Sequence, residues 1–216
     1  MAANDELIIS YKLLRQSLGW VALALPFVLA IGARLFEGVP LADSVSAYYY
    51  TSMRDVFAGT LFATGIFLYC YRGLDWKDNL VSNIAGIAAA GIGLLPMDPH
   101  YSQVLIDRHT DLDKANCYVP HGPLGYHFYA TATFFALVSY MAIFQFTKID
   151  KVPATAAKVM RNRVYVVCGI VMIGCFVWIG LLKLHSPTSS ILVPESGAII
   201  AFAVAWLTKG QRILPD

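Results

Sequence analysis

Long apolar stretches without charge alternate with short polar segments along the whole chain. Charge-free windows of 16 to 19 residues cover 16–33, 56–71, 79–97 and 164–182, and two further apolar stretches cover 127–146 and 184–208. A membrane-spanning helix needs about 20 mostly apolar residues, with about 17 to 25 tolerated. The pattern therefore predicts six transmembrane helices, over about 17–34, 56–72, 79–97, 127–147, 164–183 and 190–208.

The predicted fold class is all-α, a polytopic membrane protein with one domain over 1–216. None of the apolar runs alternates as a barrel strand does, and open strands leave backbone groups unpaired in lipid. The third predicted span has Ala85, Ala89 and Gly93 at intervals of four residues. Small residues at this spacing let two helices approach closely, so we expect this helix at the centre of the bundle.

Basic residues concentrate on one side of the predicted spans. With the N-terminus inside, eleven of the sixteen Lys and Arg residues fall on the inner side, five of them in the segment from Lys148 to Arg163, which we expect to be a loop. An excess of basic residues marks cytoplasmic loops. The sequence therefore predicts cytoplasmic N- and C-termini in a multi-pass protein of the cell membrane, and we expect a bacterial inner membrane.

Composition agrees with a membrane protein and removes other classes. Hydrophobic residues make up 57% of the chain and charged residues 14%, against about 25% in soluble domains. A net charge of +2 excludes a basic nucleic-acid binder. The expected partners are the lipid bilayer and a lipid or small-molecule ligand, and the sequence leaves a homo-oligomer open.

All five histidines and three carboxylates near helix ends lie on the outer side of this topology. Side chains from separate helices thus reach one depth, which predicts an outward-facing polar pocket. An ionisable residue near a membrane helix is a functional-site hypothesis by default. The outer set comprises His100, His109, His121, His127, His185, Asp55, Asp98 and Glu195.

Three residues of this set have the chemistry of a metal site. Zinc accepts imidazole and carboxylate ligands, so His127, Asp55 and Glu195 are the candidate ligands of zinc or another divalent metal. Asp55, Glu195 and Ser46 are the candidate catalytic groups, with a carboxylate as general base. No HExxH or HxxxH spacing accompanies them, and a histidine bonded to backbone at the interface is the alternative for His127.

Each carboxylate also has a structural interpretation. Ser52-Met-Arg-Asp55 matches the capping box [ST]-x-x-[DE], which would place Asp55 at a helix start without any activity. Glu195 would form a salt bridge with Lys183 or His185 that ties the fifth predicted helix to the sixth. A charge at mid-helix costs about 2.5–3.5 kcal/mol unless it is paired or reaches water.

The long outer loop over 98–126 is a further candidate, since long loops are often functional. Its His109-Thr-Asp111-Leu-Asp113 segment carries three ligand-type side chains, although a solvated acidic loop is the commoner explanation.

The stretch Ser46-Ala-Tyr-Tyr-Tyr-Thr-Ser-Met-Arg-Asp55-Val-Phe resembles a segment of small bacterial multi-pass membrane proteins. More loosely, it is similar to the ceramidase and adiponectin-receptor superfamily of membrane hydrolases. That resemblance implies a zinc-dependent amide or ester hydrolase, with Ser46 and Asp55 in its Ser and Asp positions. Tyr50 stands where the pattern has its first His, and the late His-x-x-x-His pair is absent from this sequence.

Three classes of function remain open. The first is a hydrolase that acts on a lipid-like amide or ester through metal-bound water. The second is a channel, transporter or ligand-binding protein with a cation-attracting outer vestibule. The third is a scaffold or accessory subunit without chemistry. An outer polar cluster with no ionisable residue in the inner halves of the helices favours a pocket over a pore.

Overall fold

The computed structural model of the chain describes residues 2–107, 125–148 and 155–215. Every regular element in these ranges is helical, which confirms the predicted all-α class. Two 3₁₀ helices, Ser46–Tyr50 and Pro99–Tyr101, lie in the connections, and a π-helical turn, Met141–Gln145, extends the fifth helix. The α-helices of these ranges are α1 (Ala2–Glu37), α2 (Arg54–Cys70), α3 (Trp76–Leu94), α4 (Gln103–Asp107), α5 (Gly125–Tyr140), α6 (Ala156–His185) and α7 (Leu192–Lys209).

Each of the six predicted spans overlaps one of the long helices. Helix α1 begins at Ala2 rather than near 17 and α6 at Ala156 rather than near 164, while the other helix starts shift by a few residues. Helices α2 and α3, of 17 and 19 residues, are the shorter pair. Within the described ranges, four helical stretches are long and apolar enough to cross a membrane: Ser10–Glu37, Gly125–Gln145, Ala156–His185 and Leu192–Lys209.

Helix α6 begins well before its predicted span. The hydroxyl of Thr155 caps it by accepting a hydrogen bond from the backbone amide of Lys158 (3.1 Å). Because of this cap, Lys158, Arg161 and Arg163 lie on the helix, and the expected basic loop is wrong for this stretch. Residues 149–154 lie outside the described part of the chain.

The six long helices form a closed ring in the order of the sequence. Each packs against the next, from α1 through α2, α3, α5 and α6 to α7, and α7 packs back against α1. Short connections favour this order because consecutive antiparallel helices are then neighbours. The ring has an interior, and that is where the candidate site lies.

The two ends of the ring differ. At the terminal end, the Gln16 amide donates to the carbonyl oxygen of Gly210 (2.8 Å), so the first and last helices meet near both chain termini. At the opposite end, called the distal end here, the Tyr50 hydroxyl donates to the carbonyl oxygen of Met97 (2.6 Å). The chain crosses between the two ends with each long helix.

Helices α2 and α3 are in backbone contact, as the spacing of small residues in α3 predicts. The expected central position of α3 is wrong, because α3 is one member of the ring and its Ile87 side is exposed. Ala85 and Ala89 are fully buried. A Cβ atom added at Gly86 would lie 2.6 Å from the carbonyl oxygen of Gly65 and 2.9 Å from the backbone nitrogen of Tyr69. Close approach of this kind is how membrane helices gain packing energy where lipid is as apolar as their side chains.

Replacement of Gly86 by Ala is therefore expected to lower the free energy of unfolding by about 1–3 kcal/mol, because overpacking against backbone cannot relax by a side-chain rotation. Thermal unfolding in detergent measures this. Gly59→Ala is the matched control in α2, since nothing lies within 4 Å of a Cβ there. Equal melting temperatures for the two variants would contradict the assigned contact.

An aromatic layer crosses the interior nearer the terminal end. The Trp206 ring, 1% exposed, lies 5.1 Å from the Phe67 ring, 5.3 Å from Tyr71 and 5.0 Å from Phe146 between centroids. Phe202, one turn earlier on α7, contacts the same ring at 6.1 Å. This layer separates the distal half of the ring from the terminal half.

Candidate functional site

Glu195 anchors the first loop to the start of α7. Its Oε2 atom accepts hydrogen bonds from the Ser44 hydroxyl (2.9 Å) and from the backbone amide of Val45 (2.6 Å). These donors lie at the start of the 3₁₀ helix Ser46–Tyr50, where backbone amides have no partner inside the helix. The carboxylate thus satisfies groups that would otherwise be unpaired at the end of an apolar bundle.

Glu195 forms no ion pair with Lys183 or His185 in the described part of the chain, so the alternative interpretation as a salt bridge is wrong. The Lys183 ammonium donates instead to three carbonyl oxygens, those of Tyr101 (2.9 Å), Pro187 (2.7 Å) and Ser189 (3.0 Å). His185 is exposed. Lys183 thus binds the 3₁₀ helix Pro99–Tyr101 and the connection between α6 and α7.

His127, in the first turn of α5, uses both ring nitrogens. Nδ1 lies 2.7 Å from the carbonyl oxygen of Leu95, and Nε2 lies 3.0 Å from Ser46 Oγ. A carbonyl oxygen can only accept, so Nδ1 carries a proton, and in the neutral imidazole Nε2 then keeps its lone pair. The Ser46 hydroxyl therefore donates to Nε2, and serine, imidazole and carbonyl form one hydrogen-bonded chain.

Two cavities meet at these residues. The central cavity, of about 70 Å³, lies inside the ring of helices, and the distal cavity, of about 110 Å³, adjoins it at the distal end. Ser46, Thr131 and Glu195 line both cavities, and His127 lines the distal one. The central cavity is otherwise mostly apolar, with Leu25, Phe57, Leu61, Ile92, Phe134 and Phe135 in its wall.

Thr131 lies one helical turn after His127 on the same face. Its hydroxyl donates to the carbonyl oxygen of His127 (2.8 Å). A hydroxyl that bonds back to the preceding turn does not compete for the imidazole. Ser46 is thus the partner of the ring at this depth, with 8% of its surface exposed.

Asp55 is not part of this cluster. It lies in the first turn of α2, is exposed and lines neither cavity. The predicted capping box is wrong, since α2 begins at Arg54 after Met53 without a side-chain cap. Thr51 Oγ1 accepts the amide of Met53 instead (3.1 Å). An acidic residue in the first turn stabilises the helix dipole in any case.

The residues predicted as metal ligands do not form a three-ligand set. Ser46, His127 and Glu195 come together, and Asp55 does not. The described residues contain no group of three or more His, Cys, Asp or Glu side chains that could hold a metal ion. Both nitrogens of His127 already have hydrogen-bond partners. The zinc site therefore stays a prediction.

Two further residues hold the distal end together and were missed in the sequence. The buried carboxylate of Asp43 accepts from the Ser102 hydroxyl (2.5 Å) and the amide of Val104 (3.3 Å). Burial and the nearby Asp98 raise the pKa of Tyr50, which remains a hydrogen-bond donor. Asp43 resembles an ordinary loop residue in sequence, so only its burial identifies it.

The structure describes the predicted outer loop over 98–107 and 125–126. The 98–126 segment begins with a 3₁₀ helix and α4 rather than an irregular loop. The predicted His109, Asp111 and Asp113 cluster lies outside the described residues.

The site holds the buried Ser46 hydroxyl beside the His127 imidazole, which the Leu95 carbonyl orients. The Glu195 carboxylate holds the start of the 3₁₀ helix that carries Ser46. An apolar cavity adjoins the site. Such a pair can transfer a proton from the hydroxyl and make its oxygen a nucleophile. Comparisons with protein-family models, with curated proteins and with solved structures find no match to this chain.

Proposed function

We propose that the chain is an integral membrane hydrolase that cleaves an ester or amide bond of a lipid-like substrate at its distal end. Ser46 is the nucleophile and His127 the general base. The observation that carries this proposal is the Ser46 Oγ to His127 Nε2 hydrogen bond of 3.0 Å, with Nδ1 held by Leu95. A nucleophile beside a base that a third group orients is the arrangement of covalent catalysis.

The reaction needs no group beyond the chain, the substrate and water. Ser46 Oγ bonds to the carbonyl carbon of the substrate while its proton passes to Nε2 of His127. The bond to the leaving group then breaks, and the leaving group takes that proton. Water next attacks the acyl-serine ester and gives one proton to Nε2. The acid leaves, and that proton returns to Ser46 Oγ.

Glu195 is a positioning residue in this mechanism. Its carboxylate holds the Ser44 hydroxyl and the Val45 amide at the start of the 3₁₀ helix that carries Ser46. Catalytic groups must be held close to their productive geometry, and supporting hydrogen bonds do this. The carboxylate therefore acts through the loop and does not contact the reacting atoms.

The cavities support a substrate with an apolar tail. A scissile carbonyl in the distal cavity would lie next to Ser46 and His127, and the adjoining central cavity has a mostly apolar wall. Buried apolar walls favour an acyl chain over a hydrated group. The substrate class proposed is an acyl ester or amide presented by the outer leaflet.

The membrane arrangement belongs to the same proposal. All six long helices cross the bilayer, and both termini are cytoplasmic, in a multi-pass protein of the cell membrane. The excess of Lys and Arg near the terminal end supports this orientation. The distal end then faces the cell exterior or periplasm.

A fluorophosphonate probe tests the nucleophile, because it phosphonylates serines that a base activates. The purified protein is expected to take up the probe at Ser46, and Ser46→Ala and His127→Gln are expected to abolish uptake. Ser52→Ala is the matched control, since Ser52 is exposed in the same loop. In intact cells, a membrane-impermeant probe is expected to label the protein from outside.

If the wild-type protein is folded, as measured by circular dichroism, and yet takes up no probe, the serine mechanism is wrong. If elemental analysis of that protein found a bound metal that His127→Gln removed, the metal-bound-water hydrolase would replace it. If the membrane-impermeant probe labels Ser46 only after the membranes are opened, the distal end faces the cytoplasm, and Ser46 is still the nucleophile.

A further inference from the structure

A polar cavity of about 160 Å³ lies at the terminal end, on the far side of the aromatic layer from the candidate hydrolase site. Four basic side chains line it, and each comes from a different part of the chain. They are Arg15 on α1, Arg72 between α2 and α3, Lys148 after α5 and Lys209 on α7. Basic residues are common at the end of a single membrane helix, but here side chains from four separate segments line one cavity.

Lys148 is paired with two carboxylates within the protein. Lys148 Nζ lies 2.7 Å from Asp78 and 3.0 Å from Asp75, and these hydrogen bonds raise the pKa of Lys148. Neither Arg15 nor Arg72 forms an ion pair with a carboxylate in the described part of the chain. The cavity therefore keeps a positive excess.

The guanidinium of Arg15 lies against two tyrosine rings. Its guanidinium carbon lies 4.0 Å from the centroid of the Tyr11 ring and 5.5 Å from that of Tyr71. Its Nε atom is buried without a hydrogen-bond partner among the described residues. A stacked arginine keeps its planar set of donors free for an anion.

Gln145 is the second and independent observation. It ends the π-helical turn Met141–Gln145, lines the cavity and is 6% exposed. Neither its Nε2 nor its Oε1 atom has a partner within the described ranges. Buried amides are nearly always paired, and π-turns occur frequently at functional sites. A ligand that both accepts and donates hydrogen bonds would satisfy this side chain.

We infer that this cavity binds a phosphate group, either as a phosphomonoester or as the headgroup of an anionic lipid. Phosphate oxygens accept from arginine forks and from Gln145 Nε2, and a phosphate or headgroup hydroxyl donates to Oε1. The cavity is large enough for a phosphate group, because its volume of about 160 Å³ is many times the roughly 10–15 Å³ that one water needs. Basic pockets beside membrane helices bind such headgroups in general.

The test uses full-length protein in neutral detergent, stripped of phospholipid. Its melting temperature is measured with inorganic phosphate, with glycerol 3-phosphate, and after transfer to phosphatidylcholine bilayers with or without phosphatidic acid. At least one of these phosphates is expected to stabilise the wild type. Arg15→Gln and Arg72→Gln are each expected to weaken binding about tenfold or more, since each removes charged hydrogen bonds.

Gln145→Leu separates binding from folding. Without ligand it is expected to melt above the wild type, because two unpaired buried polar atoms are gone, while the phosphate-induced shift is lost. Lys77→Gln is the matched control, an exposed lysine near the same end that does not line the cavity. A shift with phosphatidic acid alone identifies a lipid headgroup, and a shift with the soluble phosphates identifies a soluble ligand. Equal shifts in all variants, or no shift in the wild type, would overturn the inference.

Discussion

His127→Gln is expected to lower the rate of ester hydrolysis by about two to four orders of magnitude, which is what general acid–base catalysis by one side chain supplies. Glutamine fills a similar space and can still bond to the Leu95 carbonyl, but it has no basic lone pair for the Ser46 proton. The loss should therefore appear in kcat, with KM little changed, because the cavities that hold the substrate keep their walls. Hydrolysis of a p-nitrophenyl acyl ester by protein in detergent measures both constants.

Two comparisons make this result specific. His185→Gln, an exposed histidine at the same end, is expected to keep the wild-type rate. The double variant Ser46→Ala/His127→Gln should be about as slow as the slower single variant, since residues that act as one unit are not additive. Independent, multiplying losses would show that the serine and the imidazole do not act together.

Glu195→Ala is expected to have the second largest effect, on stability and on turnover together. It leaves the Ser44 hydroxyl and the Val45 amide without their acceptor, and a hydrogen bond to a charged group contributes about 1.5–3 kcal/mol. The melting temperature in detergent should fall. The rate should fall as well, because the start of the helix that carries Ser46 is released.

Glu195→Gln distinguishes positioning from chemistry. The amide oxygen of Gln still accepts hydrogen bonds, so this variant should recover most of the melting temperature and much of kcat. Asp107→Asn is the control for loss of an acidic residue at the distal end, because Asp107 is exposed. If Glu195→Gln were folded yet as inactive as His127→Gln, the carboxylate would have a direct part in the reaction.

The helical fold could be predicted from the sequence because each long apolar run without charge is long enough for a helix of several turns. The six runs correspond to the six long helices, and the spacing of Ala85, Ala89 and Gly93 marked a tightly packed helix. Helix ends were less predictable, since a single cap such as Thr155 moved the start of α6 by about two turns.

The depth of the site was predictable, and its partners were not. Ser46, His127 and Glu195 share the distal end as expected, yet the Ser46–His127 pair joins residues 81 positions apart. Their meeting depends on how α5 is rotated against α3, which places the Leu95 carbonyl beside Nδ1. Hydropathy has no information on such rotation.

Asp55 shows the same limit from another side. Phe57 faces the central cavity, and two positions along a helix correspond to a rotation of about 200°. Asp55 therefore points away from the interior, although it has the same depth as the site. The pattern of α2 contains this information only once the inward face is known.

The Trp206 layer has a consequence for the cell. A membrane protein with cavities at both faces would dissipate the ion gradients across its bilayer if these cavities were joined. Packed aromatic rings provide no chain of hydrogen bonds along which protons could move and no ligands for dehydrated ions. They therefore block ion passage between the two ends. In the proposed membrane arrangement, this layer separates the proposed hydrolase site from the proposed phosphate site and closes the path between the two faces.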